Sequence, residues 1–185
     1  MAVEFRVLRR SDFALVATWL AEPLVARWWN HDCAPDAIER EFGPGIDGRE
    51  PTEVFIVSVG SRPFGLVQRY PIAGYPEYVA ELEAVCELDP TALGIDYLIG
   101  DPDLRGRGLG AELISACTAL CWERHPQARE IVVPVSTANT RSWRALERAG
   151  FERFAEVELK PDNPIDSQAH VVYRARRPRV SREAP

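Results

Sequence analysis

The 185-residue sequence predicts one α/β (α+β) domain built on a mixed sheet. Three observations carry that expectation. Strand-like and helix-like patterns alternate through the second half, as they do in βαβ units with some parallel pairing. Two strand-like runs in the first half are joined by a tight turn, which adds antiparallel pairing. An apolar fraction of 46% against 27% charged is ordinary globular composition, at a length that holds a single core.

The elements follow in order. Residues 3–9 (VEFRVLR) alternate apolar and polar side chains, as a half-buried strand does. Ser11 and Asp12 offer an N-cap for a helix through DFALVATWL. Pro23 and Pro35 suit the first turns of two further helices, PLVARWW and PDAIEREF. The runs VFIVSV (54–59) and PFGLVQRY (63–70) read as strands, with Gly60-Ser61-Arg62 as the hairpin turn between them. Residues 71–92 carry three Pro and the acids Glu77, Glu81, Glu83, Glu87 and Asp89, and read as one long loop. Beyond it come a strand at 94–100, a glycine-rich turn, a helix at about 109–124 and a strand at 130–135. A helix at about 139–149 and strands near 151–160 and 168–176 complete the pattern. The domain is expected over residues 1–176, with a basic tail over 177–185.

Charge narrows the partners. Residues 1–173 hold 17 basic and 27 acidic side chains, so the body is strongly acidic and the overall charge of −6 understates it. An acidic body disfavours a general nucleic-acid binder and suits a cationic small molecule or a basic peptide. No run approaches the length of a bilayer-spanning helix, and charges at Glu4, Arg6, Arg9, Arg10 and Asp12 interrupt the place of a leader. A cytoplasmic protein with no membrane partner is expected. Cys33, Cys86, Cys117 and Cys121 form no CxxC pair, and His31, His125 and His170 share no ligand spacing with them, so no metal is expected. The i, i+4 spacing of Cys117 and Cys121 reads as two buried thiols on one helix face.

Most of the chemistry sits in Leu104-Arg105-Gly106-Arg107-Gly108-Leu109-Gly110, between a strand and a helix. Three glycines let backbone amides approach a ligand closely, and the helix start adds free donors and a positive dipole end. That is a site for a phosphate or pyrophosphate. A Walker A loop is excluded because no Lys-Ser/Thr follows, and the spacing of the glycines does not fit a dinucleotide fingerprint.

Arg105-x-x-Gly108-x-Gly110 resembles the acyl-coenzyme A motif of the GNAT superfamily of N-acetyltransferases, and Asn139-Thr-Arg-Ser-Trp-Arg-Ala-Leu-Glu-Arg-Ala-Gly-Phe151 resembles that family's "N…A…E+xGF" segment. The resemblance implies a GNAT fold, a mixed and mostly antiparallel sheet with central splayed parallel strands flanked by helices. It also implies acetyl-CoA as cofactor, with its pyrophosphate on Arg105, Gly106, Arg107, Gly108, Leu109 and Gly110 and its pantetheine beside Leu98, Ile99 and Asn139. Glu87-Leu-Asp89-Pro90 through Gly94-Ile95-Asp96, with the upstream Trp28-Trp29, is similar to segments of the aminoglycoside 6′-N-acetyltransferases.

Acetyl transfer to an amine needs a carboxylate, or a water held by one, because alkyl amines are mostly protonated at pH 7. Asp96 lies mid-strand between Ile95 and Tyr97, where a carboxylate without a task costs stability. The resemblance makes it the proton acceptor, and makes Trp28, Trp29, Glu81, Glu87, Asp89 and Asp96 the acceptor-binding residues. Two departures stand out: Leu146 occupies the place of the family's tyrosine four residues before Gly150, and Pro134 that of a further acid. The function this implies is direct acetyl transfer to an amino sugar of aminoglycoside type, by a monomer or homodimer. The alternatives are acylation of a siderophore lysine or a protein amine, and a non-catalytic acyl-CoA-binding module.

Overall fold

The computed structural model describes residues 2–178. Seven strands form one sheet in the order β1-β2-β3-β4-β5-β7-β6. They are β1 (Val3–Val7), β2 (Glu53–Val59), β3 (Arg62–Pro71), β4 (Leu93–Ile99), β5 (Glu130–Ser136), β6 (Glu152–Glu158) and β7 (Ala169–Arg176). The helices are α1 (Phe13–Leu20), α2 (Pro23–Trp29), α3 (Pro35–Ile46), α4 (Pro76–Glu83), α5 (Leu109–Arg124) and α6 (Thr140–Arg148). All neighbours pair antiparallel except β4 and β5.

Helices cover both faces, and the strands are apolar to match. On one side α1, α2 and α3 bury Val16, Trp19, Leu20, Val25, Ile38 and Phe42 against Val54, Ile56, Leu66 and Leu98 of the sheet. On the other, α5 and α6 bury Leu113, Ile114, Cys117, Cys121 and Leu146 against Val57, Val67, Ile95, Ile131 and Val133. Cys117 and Cys121 are free thiols in that second layer, as their spacing predicts. A third, smaller cluster joins Leu82 of α4 to Val132 and Val172, and it supports the sheet beside the site.

The structure corrects three expectations. The long loop of residues 71–92 contains α4, which starts at Pro76 and buries Leu82. Helix α3 runs on past Phe42 through Gly43-Pro44-Gly45 to Ile46, because Ile38 and Phe42 pack into the core and hold the helix in place. The Asp12 carboxylate makes no cap for α1; it accepts from the Arg9 amide at 2.9 Å and pairs with Arg6. The expected basic tail lies outside the described residues from position 179 onward. Arg177 is ordered, its guanidinium donating to the carbonyls of Ala128, Trp122 and His125.

The parallel pair positions the site. β4 and β5 are joined only at Leu93–Ile131 and Gly94–Val132. Beyond those residues they part, and Pro134, two residues past the last pairing, has no N–H to offer β4. The gap therefore opens at the carboxyl ends of the two parallel strands, where ligands of open α/β sheets bind.

Candidate active site

Two connected spaces open from the parting of β4 and β5. One is a cavity of about 710 Å³ between α3, α4, β3 and the β6–β7 loop. The other is a narrow cleft of about 120 Å³ between the strands themselves, walled by Tyr97, Val135, Ser136, Asn139 and Ser142. Asp96 lines both.

Asp96 is held there by local geometry. Gly94 lets the Tyr70 ring lie flat on β4, since a Cβ at Gly94 would stand 2.4 Å from the ring. Tyr70 and Tyr78 then form an aromatic wall, 6.4 Å between ring centres. Burial pushes the Asp96 carboxyl up to about 6, and the neighbouring charges of Asp162 and Glu41 add to the rise, while the Tyr70 hydroxyl, directed at the carboxylate, opposes it. At pH 7 the group is mostly ionised, yet basic enough to take a proton.

The cavity is acidic. Glu41, Glu50, Glu81, Asp96 and Asp162 line it, against one lysine, Lys160, and the histidines His31 and His170. Burial also raises the Asp162 carboxyl, with His31 and His170 pulling it back down and Glu81 raising it further. Asp162 lies on the β6–β7 loop, which is strapped to α2. Asn30 donates to the Asp162 carbonyl at 3.1 Å, Asn163 donates to the Arg27 carbonyl at 3.1 Å, and Arg27 pairs with Asp166. Trp29, Tyr70, Tyr75 and Tyr78 supply flat apolar walls.

The glycine-rich turn lies at the end of β4, at the start of α5. Gly106 and Gly108 both have positive φ, +75° and +84°, so the turn depends on glycine for its backbone rather than for room. The first α5 amide with a backbone acceptor is that of Ala111, on the Gly108 carbonyl at 3.1 Å, and the amides of Leu109 and Gly110 have no backbone acceptor among the described residues. Arg107 is exposed beside them. Arg105 has a different task. Its guanidinium donates to the carbonyls of Ile99 and Gly100 at 3.0 Å and pairs with Glu22, fastening the turn to the end of β4 and the start of α2.

These residues fit the coenzyme A expected from the resemblance. Among the described residues the edges of β4 and β5 beyond Gly94 and Val132 have no strand partner across the gap. The Ser136 hydroxyl is buried in the cleft wall with no hydrogen-bond partner among the described residues, a cost that a polar ligand would remove. Asn139 caps α6 by accepting from the Ser142 amide at 3.2 Å, and its side chain also lines the cleft. Leu98 points away into the α1–α3 layer, so only its backbone is available to a ligand; Ile99 packs beside Gly110.

The structure does not gather every residue singled out from the sequence. Trp29 and Glu81 stand on the large cavity with Asp96, and Trp28 lines the cleft with the Arg27 guanidinium 4.3 Å over its ring. Glu87 and Asp89 lie elsewhere, on a groove with Arg129, Glu130 and Arg174. They precede β4 and sit where β4 and β5 are still paired, whereas Asp96 lies beyond the parting. Asp89 is a turn-former: its carboxylate accepts from the Thr91 amide at 2.8 Å, and its amide donates to Glu130 at 2.9 Å. Conversely Tyr70, Glu41, Glu50 and Asp162 were not singled out from the sequence, and His170 was weighed there only as a metal ligand, because each is an ordinary strand, helix or loop residue until the sheet assembles. Among the described residues no cluster of His, Cys, Asp and Glu could hold a metal ion, and no helix is long and apolar enough to cross a membrane.

Comparison with known proteins agrees with this architecture. Aminoglycoside N(6')-acetyltransferase type 1 of Klebsiella pneumoniae is 29% identical over 166 residues, covering 88% of this chain and 80% of the relative. Lysine N-acyltransferase MbtK of Mycolicibacterium paratuberculosis is 26% identical over 154 residues, covering 82% of this chain and 66% of its own length. The solved structure of AAC(6')-Ib in complex with ribostamycin and coenzyme A superposes with a TM-score of 0.78 at 27% identity, over the whole of both chains. The acetyltransferase (GNAT) domain model matches residues 9–159, a span that takes in the parting strands, the glycine turn and the strapped loop's start alike, and the chain belongs to the GNAT acetyltransferase family.

Proposed function

We propose that this acetyltransferase moves the acetyl group of acetyl-CoA to a primary amine of an aminoglycoside-type amino sugar, by direct transfer within a ternary complex. The observation that carries the reading is Asp96, a carboxylate raised to about 6 that opens both into an acid-lined cavity and into the gap between parted strands. Five carboxylates against one lysine attract an acceptor with several ammonium groups, and the Trp29 and tyrosine walls suit the faces of its rings. The Klebsiella relative and the ribostamycin complex support the same acceptor class.

Acetyl-CoA supplies an activated thioester. The amides at Leu109 and Gly110, with Arg107 beside them, hold its pyrophosphate, and the free edge of β4 with Ser136 and Asn139 holds its pantetheine arm. Asp96 binds the acceptor as an ammonium and removes its proton. Moving a proton from an alkyl amine near pKa 10 to a carboxylate near 6 costs about 5 kcal/mol, which fits inside the barrier of about 13–17 kcal/mol that ordinary turnover allows. The Glu41, Glu50, Glu81 and Asp162 carboxylates position the rest of the polycation. Acetyl-CoA is a cytoplasmic metabolite, so we place the enzyme in the cytoplasm, acting as monomer or homodimer without nucleic-acid or membrane partners, on a domain of residues 1–176.

A thiol-release assay with acetyl-CoA and a panel of kanamycin, ribostamycin, a lysine hydroxamate and a lysine-bearing peptide tests the reading. Turnover with the amino sugars and little with the others is expected. Preference for the lysine compounds would move the assignment to lysine acylation, and coenzyme A binding without turnover on any amine would make the chain a binding module.

A further inference from the structure

Asp96 opens into the narrow cleft as well as the large cavity, and on the acetyl-CoA reading above the amine and the sulfur of the breaking thioester meet in that cleft. Helix α6 forms one of its walls. The tyrosine that the family resemblance expects on this helix is replaced by Leu146, fully buried in the core. A phenol reaches the same wall from the strand. Tyr97 follows Asp96 on β4, so its side chain leaves the opposite face of the sheet, on the α6 side. Its hydroxyl lies 2.7 Å from Ser142 Oγ, one helical turn before Leu146 on the same helix face. Tyr97 and Ser142 both line the cleft.

Two hydroxyls bonded to each other hold two protons and share only one between them. When Ser142 donates to the Tyr97 oxygen, the Tyr97 proton is left to donate elsewhere; the Ser142 carbonyl, at 3.5 Å, is a poor acceptor for it. We infer that Tyr97, oriented by Ser142, donates a hydrogen bond to the coenzyme A sulfur as the thioester bond breaks, taking the place of the absent helix tyrosine. The inference rests on the acetyl-CoA reading above. Burial holds the phenol above its ordinary range, so Tyr97 remains a donor at any working pH and keeps its own proton. In the step itself the N–C bond forms and the C–S bond breaks, its electron pair staying on sulfur. Asp96 already holds the proton taken from the ammonium; the second proton leaves the nitrogen for solvent water as the amide forms, and the thiolate takes one from solvent after release. A hydrogen bond to an anion is stronger than one to a neutral thioester sulfur, so the contribution is larger in the transition state than in the ground state.

Calorimetry with coenzyme A and with desulfo-coenzyme A, which lacks the sulfur, reads this bond without turnover. Between pH 7 and 10 the wild type should gain affinity for coenzyme A over desulfo-coenzyme A by about 10-fold, the size of one charge-assisted hydrogen bond. Tyr97→Phe should flatten that gain while binding desulfo-coenzyme A normally. Its kcat should fall about 10- to 100-fold on the same basis, with little change in KM for acetyl-CoA. Ser142→Ala, which keeps the phenol but loses its orientation, should fall less. An unchanged pH-dependent gain in Tyr97→Phe, or an unchanged kcat, overturns the inference. An equal loss of affinity for both ligands makes Tyr97 a structural residue and overturns it as well. A wild type that binds neither ligand overturns the acetyl-CoA reading itself, and this inference with it.

Discussion

Replacing Asp96 by Asn changes activity and stability in opposite directions, and both magnitudes follow from the environment of the carboxylate. The group titrates near 6 in the folded protein, chiefly because of burial, against 3.8 for an ordinary aspartate. A folded pKa above the unfolded one means that the native state disfavours the ionised form. The protein is therefore most stable, with respect to this group, below pH 3.8, and loses stability as pH rises through about 6. The gap is worth up to about 3 kcal/mol at pH 7.5. Asn is neutral at every pH and escapes that cost. Thermal melts should show Asp96→Asn more stable than wild type at pH 7.5, by several degrees for a chain of this size, with the difference vanishing below about pH 3.8. Acetyl transfer should meanwhile fall about 10²–10⁴-fold at pH 7, the range for a positioned base. It should recover at high pH, where more of the acceptor is already neutral. Affinity for coenzyme A should stay near wild type, because the turn and the strand edge are untouched. A variant with near wild-type turnover at pH 7 would refute the role of Asp96. A variant less stable than wild type at pH 7.5 would refute the account of its burial. Activity that high pH does not rescue would leave Asp96 holding the cation without taking its proton.

The other expectations concern the turn, the acids and the strap. Gly108→Val forces a β-branched residue to φ +84° with open space around it, so the strain of about 1–3 kcal/mol is local; calorimetry should show weakened coenzyme A binding in a folded protein. If Glu41, Glu81 and Asp162 steer a cationic acceptor, kcat/KM for kanamycin should fall with rising salt while that for a neutral-amine acceptor does not. Asp89→Ala should leave the acceptor's KM unchanged, since that side chain serves the turn at Thr91. Asp166→Ala releases the β6–β7 loop from Arg27 and should raise the acceptor's KM more than it lowers kcat; equal effects on both would mean that the loop serves the chemistry itself.

Features encoded by near neighbours in the chain were legible without coordinates. The apolar run over residues 54–59, a proline at the first turn of α2 and three glycines before α5 each act over one or two turns of backbone, and each element formed where those signals stood. The i, i+4 thiols of α5 were likewise readable, because one helix face defines them, and the departure at Leu146 was readable against the family's motif. The acceptor cavity was not. Its carboxylates come from positions 41, 50, 81, 96 and 162, and no spacing in sequence relates a helix residue to one on the β6–β7 loop. The order β3-β4-β5-β7 and the parting of β4 from β5 after two paired residues decide which acids share a dielectric and which do not. Glu87 and Asp89 stood out because their segment is similar to one in the aminoglycoside 6′-N-acetyltransferases, yet they fall on the paired side of the parting. Arg105 illustrates the same division within a single motif. Its presence in the turn was plain from the sequence, but whether its guanidinium faced a phosphate or the carbonyls of Ile99 and Gly100 depended on where the end of β4 lay. Local propensity thus determined the elements, and long-range strand pairing determined the chemistry, because a carboxylate's charge and basicity depend on what surrounds it in space.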